Sequence, residues 1–202
     1  MNLFTRIVCF TLIVAALVLI AFRGTAHSQA MSGYALAAAE KISGDRFTFF
    51  YRTRSGAQVY SARKIGPEML QAIDDGLSDL FSIAESSRYR FTKRLNYSDY
   101  TIFVGRPDRT ENKKGKYSPD IAVGAAQYAG SRYDQGGYVY AAGMVISADS
   151  CAFLIADHTK DFERVSRVVR YEGEHIVLYH NDRQEYLRTL DHSKGGGHPI
   201  LK

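Results

Sequence analysis

The sequence contains no tryptophan and only two cysteines, Cys9 and Cys151, among its 202 residues. Because Cys9 falls in a segment that we expect to be removed, the remaining chain has no internal disulfide framework, and its hydrophobic core must stabilise the fold. We expect Cys151 to be a small buried residue. A nucleophilic role beside His158 or His175 is an alternative that residue type alone allows.

Two common catalytic motifs are absent from the sequence. It has no Gly-x-Ser-x-Gly nucleophile elbow, and the glycines at 195–197 are not followed by a helix that could complete a phosphate-binding loop. The formal net charge is +5. Without Arg6 and Arg23 of the expected leader, 24 basic residues face 21 acidic ones. Since these charges are scattered, we predict no nucleic-acid partner.

The first 30 residues have the pattern of a secretory signal peptide. Residues 1–6 are mildly basic, residues 7–22 form an unbroken apolar run, and Ser28 and Ala30 stand at the −3 and −1 positions of a cleavage site. The run is shorter than the roughly 20 residues of a membrane-spanning helix. We therefore predict a periplasmic or secreted protein with a leader at residues 1–30. The alternative is an uncleaved membrane anchor at residues 7–22, which would be the chain's contact with a membrane.

The rest of the chain, residues 31–202, is predicted to form a single α+β domain. The predicted strands are 46–52, 57–65, 99–105, 122–130 and 138–147. The predicted helices are Pro67 to about Glu85, 161–182 and 183–190, with 32–40 as a short leading helix or a tether. Strands gathered before a late helix indicate a small mixed sheet with helices on one face. A flexible Gly-rich tail is expected from about residue 193.

The helix predicted at 161–182 carries two polar residues within its apolar stripe. The stripe is formed, at steps of three and four residues, by Val165, Val168, Val169, Ile176 and Tyr179. Glu172 and His175 fall inside it, and a carboxylate and an imidazole on a core-facing stripe are costly unless they are paired, hydrogen-bonded or bound to a metal. Gly173 costs about 1 kcal/mol against alanine in a helix interior, which close approach of a substrate or a strand would explain.

The segment 171–175, Tyr-Glu-Gly-Glu-His, resembles the His-Glu-x-x-His motif of zincin metallopeptidases. Glu172 stands at the general-base position and His175 at the second metal-ligand position, while Tyr171 replaces the first histidine. The order of predicted elements, with one helix between early strands and the motif on a late helix, is also similar to the zincin layout. The resemblance implies a Zn²⁺-dependent peptidase in which Glu172 is the catalytic base and His175 binds the metal.

The metal site needs a substitute for the missing histidine, because tyrosine, with a pKa of about 10, is a poor zinc ligand near neutral pH. His180 lies five residues after His175, about 140° round the helix, so it reaches the same ion only if the helix ends or turns nearby. His192 and His198 lie in Gly-flanked segments that can fold back. The candidate zinc ligands are therefore His175, His180, His192 and His198.

Two alternatives stay open beside a metal-dependent hydrolase that acts on peptide bonds. Glu172 and His175 can satisfy each other, or pair with Arg167 or Arg170, in a purely structural role. The protein can also be a non-catalytic exported module whose Gly/Ala-rich strands take up an extended partner. In either functional alternative the expected partner is a peptide or a protein.

Overall fold

The computed structural model describes residues 33–87, 93–108, 118–124, 129–132 and 134–201. The predicted leader at residues 1–30 lies outside the described residues, so export and leader cleavage stay predictions. Residues Ala35–Lys202 form one compact unit. Within the described residues, no helix is long and apolar enough to cross a membrane.

The helices and strands are grouped along the chain as in an α+β protein, the class that the sequence predicts. The described helices are α1 (residues 33–43), α2 (Pro67–Ser86), α3 (Phe162–Asn181) and α4 (Arg183–Thr189). The described strands are β1 (Phe49–Arg52), β2 (Gln58–Ser61), β3 (Thr101–Gly105), β4 (Ile121–Val123), β5 (Val139–Ala141), β6 (Gly143–Ser147) and β7 (Ala152–Ala156). Short 3₁₀ helices lie at Tyr97–Asp99 and His192–Lys194.

Five strands form a mixed sheet in the order β1-β2-β3-β7-β6. The pairs β1/β2 and β6/β7 are antiparallel, whereas β2/β3 and β3/β7 are parallel. Strands β1 and β2 therefore form a hairpin. Strands β4 and β5 form a separate antiparallel pair. Strand β6 ends the order, so within the described residues one of its edges is left without a paired strand.

Strand β7 was not expected from the sequence, although it occupies an inner position in the sheet. Its residues, Ala-Phe-Leu-Ile-Ala, are all buried, so they lack the alternation that marks a half-exposed strand. The single strand predicted at 138–147 is divided into β5 and β6 at Ala142, which still accepts a hydrogen bond from the backbone N–H of Ala156. Each half pairs with a different strand.

The core has two layers, one on each face of the sheet. Ile102 and Val104 of β3 belong to the layer that includes α2 and α3, whereas Phe103 between them belongs to the layer with Ala35 and Ala39 of α1. The prediction of helices on one face is therefore wrong for α1. An Ala-rich helix with small buried side chains is a weak sequence signal for a packed layer.

Two glycines allow α2 and α3 to pack closely. A Cβ at Gly76 would lie 2.5 Å from the backbone oxygen of Ser166, and a Cβ at Gly173 would lie 2.6 Å from Cδ2 of Leu80. The close approach expected at Gly173 is therefore to α2, and the expectation of a substrate or a strand there is wrong. Because α2 covers this side of α3, the side that carries Glu172 is directed towards β6.

Candidate metal centre

Two aspartates define the ends of α3 and the direction that the chain takes after it. The side chain of Asp161 accepts the backbone N–H of Arg164 at the first turn, as an N-cap does. At the other end, Asp182 donates its own N–H to the oxygen of Leu178, and its side chain caps α4 by accepting the N–H of Glu185. The second cap starts α4 directly after α3, so the chain reverses and its C-terminal segment returns along α3.

The segment after α4 makes a tight local turn and then enters the core. In the turn, Gly196 donates its N–H to the backbone oxygen of Asp191 over 3.0 Å, and a Cβ at this position would meet the backbone oxygens of Thr189 and Asp191. Further on, Ile200 is buried in the core, 4% exposed, and donates its N–H to Glu174 of α3. The tail that the sequence predicts as flexible is thus placed against α3, and His198 lies between the turn and Ile200.

Three of the four candidate ligands come together in this arrangement. His175 on α3, His192 in the second 3₁₀ helix and His198 in the C-terminal segment each offer a ligand atom, and these atoms all lie within 4.8 Å of one another. Among the described residues, Nδ1 of His175 and Nε2 of His192 are buried without a hydrogen-bond partner. Buried polar atoms without partners are costly, and a bound cation would satisfy such a cluster.

The ligand set and its spacing fit a zinc ion after a small adjustment. Three protein ligands and one open position are typical of catalytic zinc sites, with Zn–N distances of about 2.0–2.1 Å. Nitrogens that share a tetrahedral zinc ion are therefore roughly 3.3 Å apart, so the imidazoles need only close inward by side-chain rotation. The structure supports a metal site of three histidines, and zinc is the ion that we propose below.

The electrostatic environment keeps two of the imidazoles, those of His175 and His192, in the form that binds metals. Burial, together with the neighbouring His198 and His192, lowers the pKa of His175 to about 3. Burial also lowers the pKa of His192, again helped by His198. A neutral imidazole has a free lone pair, so protons compete weakly with a metal at His175 and His192 near neutral pH.

Glu172, the predicted catalytic base, lies where α3 approaches the edge strand. A Cβ at Gly143 of β6 would be 2.7 Å from Cγ of Glu172, so glycine is required for this contact. Burial raises the pKa of Glu172 to about 8, while a backbone hydrogen bond from Val145 acts in the opposite direction. The carboxyl group can therefore exchange a proton near neutral pH.

A cavity of about 460 Å³ joins Glu172 to the three histidines. Its wall includes the backbone of β5 and β6, and the aromatic side chains of Tyr171 and Tyr186 also line it. An extended chain along β6 would therefore pass both the carboxyl group and the histidine cluster. The arrangement combines a proton acceptor, three histidines that could bind a metal and an open cavity beside them.

The alternative of a structural pair between Glu172 and a neighbouring arginine is not observed. Arg167 pairs with Glu163 at 3.0 Å, and Arg170 lies 3.7 Å from the carboxylate of Asp79. Within the described chain, Glu172 forms no ion pair. Its burial is therefore not compensated by a cationic side chain there, which is consistent with its raised pKa.

His180 lies apart from the histidine cluster. Its Nε2 atom is 3.4 Å from Sγ of Cys151 and 3.1 Å from the oxygen of Ala148, while its Nδ1 atom is 3.1 Å from Nζ of Lys93. Although α3 ends one residue later, at Asn181, these contacts direct the ring of His180 away from the ion of His175. Burial raises the pKa of Cys151 to about 12, so its thiol stays protonated and is a poor nucleophile.

Glu174 is a residue of the site that the sequence did not reveal. Its side chain is fully buried, and it contacts the C-terminal segment at His198 and Ile200. It lies off the apolar stripe, so the pattern of α3 alone predicts exposure to solvent. The one signal in the sequence was the apolar pair Ile200 and Leu201 after the glycines, which is typical of a tail that docks.

Gly196 provides a first test of how the C-terminal segment supplies its ligand. Gly196→Ala should weaken zinc binding at least about 10-fold, because the added Cβ meets backbone oxygens and moves the segment that carries His198. A chelator-competition titration measures the change. Gly197→Ala is the matched control, since a Cβ there meets nothing within 4 Å. Equal affinities for the two variants would show that the segment's close approach does not hold the site together.

The zincin resemblance is supported only in part, by a cluster of three histidines that could hold a metal ion. His175 at the second ligand position of the motif belongs to the cluster. Tyr171, at the first ligand position, instead stacks its ring on His198 with centroids 4.6 Å apart. The cluster fits a metal site but does not reproduce the zincin ligand pair. Comparisons of the chain with family models, with curated proteins and with solved structures find no match.

Proposed function

We propose that the protein is an exported, Zn²⁺-dependent hydrolase in which His175, His192 and His198 hold the metal and Glu172 is the catalytic base. The observation that carries the proposal is the convergence of three histidine ligand atoms within 4.8 Å, in a cavity that Glu172 shares. Three histidine ligands and one adjacent carboxyl group are the components of metal-assisted hydrolysis.

The residues of the site divide the chemistry between them. A bound zinc ion supplies Lewis acidity and lowers the pKa of water. Glu172 accepts the proton from the attacking water and returns it to the leaving group, and a carboxyl pKa near the working pH suits both transfers. More specifically, we propose that the helix, the base and the edge strand are arranged as in a zincin, with His192 and His198 in place of the motif's first histidine.

A peptide is the proposed substrate because of the strand beside the cavity. The residues of β6 are partly exposed, and the strand ends the order of the five-stranded sheet. The exposed backbone of an edge strand can bind an extended chain by adding it to the sheet. A peptide held in this way would place its backbone amides in front of Glu172 and the histidines.

The same edge strand supports the second candidate, a non-catalytic module that binds an extended partner. In that case peptide binding depends on β6 and does not depend on the histidines. A peptide that binds equally well to wild-type protein and to a variant without His175, with no hydrolysis by either, would favour the module over the enzyme.

Metal analysis and a chelator experiment test the proposal on the wild-type protein. We expect about one zinc ion per chain and slow hydrolysis of labelled casein or of a quenched-fluorescence peptide library. Removal of zinc with 1,10-phenanthroline should abolish hydrolysis, and added Zn²⁺ should restore it. A folded protein that neither contains nor binds zinc would overturn the proposed metal site. Zinc binding without hydrolysis of any peptide would overturn the peptidase.

A further inference from the structure

The buried carboxyl group of Glu174 contacts the C-terminal segment with both of its oxygens. Oε1 accepts the backbone N–H of Ile200 at 2.6 Å, and Oε2 lies 3.0 Å from Nδ1 of His198. The side chain of Glu174 is fully buried. Among the described residues, its one ion-pair contact is with this imidazole, and no lysine or arginine pairs with it.

A fully buried carboxylate is costly unless donors surround it. The two contacts supply one donor from the backbone and one from the imidazole ring. The 3.0 Å contact between Oε2 of Glu174 and Nδ1 of His198 is within hydrogen-bond distance, and neither atom has another partner in the part of the chain that the structure describes. A proton on Nδ1 of His198 therefore satisfies Glu174, and it leaves the lone pair on Nε2.

This tautomer decides which ring nitrogen of His198 can bind a metal. Histidines that ligate metals commonly donate their other N–H to a carboxylate or a carbonyl, and this partner fixes the ring orientation and makes the ligand more basic. Glu174 lies one residue before His175 on α3, so one turn of helix supplies both a ligand and the partner of a second ligand.

We propose that Glu174 is a positioning residue of the metal centre, which holds His198 in the Nδ1–H tautomer and anchors its segment through Ile200. The role rests on the metal site of the proposed function. The same role explains why the C-terminal segment docks on α3. That segment supplies two of the three ligands. Glu174 contacts neither substrate nor metal in this role and acts through His198.

Glu174→Gln tests the role by metal affinity, a measurement that does not depend on hydrolysis. We expect zinc binding about 10- to 100-fold weaker than in wild type, measured by competition with a chelator dye. Glu163→Gln is the matched control, because this glutamate lies on the same helix with an exposed side chain that pairs with Arg167. Its affinity should equal that of wild type. Equal affinity in Glu174→Gln would overturn the proposal.

The tautomer of His198 provides a measurement that needs no variant and no metal. In the metal-free wild-type protein labelled with ¹⁵N-histidine, long-range ¹H–¹⁵N spectra should show the proton of His198 on Nδ1. The Nε2–H tautomer would overturn the proposal even if Glu174→Gln fails to fold. The two proposals can fail separately. If the wild-type protein binds zinc without hydrolysing peptides, the hydrolase proposal is rejected. The positioning role still holds in that case, provided that His198 has the Nδ1–H tautomer and Glu174→Gln binds zinc more weakly.

Discussion

His175→Ala should remove stoichiometric zinc binding and all metal-dependent hydrolysis while the fold is kept. His175 is the ligand of the cluster that lies on an α-helix, and the residue is 6% exposed with a pKa lowered to about 3, so its imidazole is neutral and held in place before a metal arrives. Its removal should weaken zinc binding by more than the roughly 10–100-fold that is typical for an outer-shell partner. Metal analysis after dialysis and circular dichroism of the same sample measure both outcomes.

His180→Ala is the matched control for this experiment. It also removes an imidazole from α3, yet His180 contacts Cys151 and Ala148 and takes no part in the cluster. We expect its zinc content and hydrolysis to equal those of wild type. If His175→Ala keeps its zinc, or if His180→Ala loses as much, the cluster is not the metal site.

The helix at the centre of the site could be predicted because its signals are local. The stripe of valines recurs at helical spacing, and Asp161 and Asp182 mark the ends as caps, so the predicted range 161–182 differs from Phe162–Asn181 only by these caps. Pro67 marks the start of α2 in the same way. Periodicity and caps act within a few residues of sequence, which is why they are visible without the fold.

The sheet could be predicted less completely, because pairing depends on residues distant in sequence. β7 is flanked by β3 and β6, and burial on both faces removes the alternation by which strands are recognised. The division of residues 138–147 at Ala142 likewise arises from different partners on either side. Nothing local in that segment marks where one pairing ends and the next begins.

The choice among the candidate ligands illustrates the same limit at the site itself. Helical geometry separates His180 from His175, which the structure agrees with, but no pattern distinguishes His192 or His198 from ordinary residues of a loose tail. Their convergence depends on the tight turn at Gly196 and on the buried contacts of Glu174. The partners of Glu174, His198 and Ile200, lie more than 20 residues away from it in the sequence. His175 could be singled out from the sequence, whereas the choice of His192 and His198 as its partners required the fold.

Glu172→Gln should separate metal binding from catalysis. Glutamine has nearly the same shape as glutamate but cannot accept the proton of the attacking water, so hydrolysis should fall by roughly 10²- to 10⁴-fold. Zinc content should stay at the wild-type value, because the three histidines are unchanged. Hydrolysis rates and metal analysis on the same zinc-loaded preparations measure the two effects. Unchanged hydrolysis would exclude Glu172 as the base, and loss of zinc would make it a ligand.

The same substitution should make the metal-free protein more stable at alkaline pH. The pKa of Glu172 in the folded state is about 8, above its ordinary value of 4.5. Between these two values the unfolded chain has lost the proton that the folded protein keeps, so this residue lowers the free energy of unfolding as pH rises. Glutamine removes the penalty, and we expect Glu172→Gln to be more stable than wild type by on the order of 2–4 kcal/mol at pH 9, with little difference near pH 4.5. Urea unfolding of both metal-free proteins measures this difference in the free energy of unfolding. The other titratable groups are the same in the two proteins, so the comparison isolates Glu172. A difference that does not grow with pH would show that the carboxyl group is not held protonated by burial.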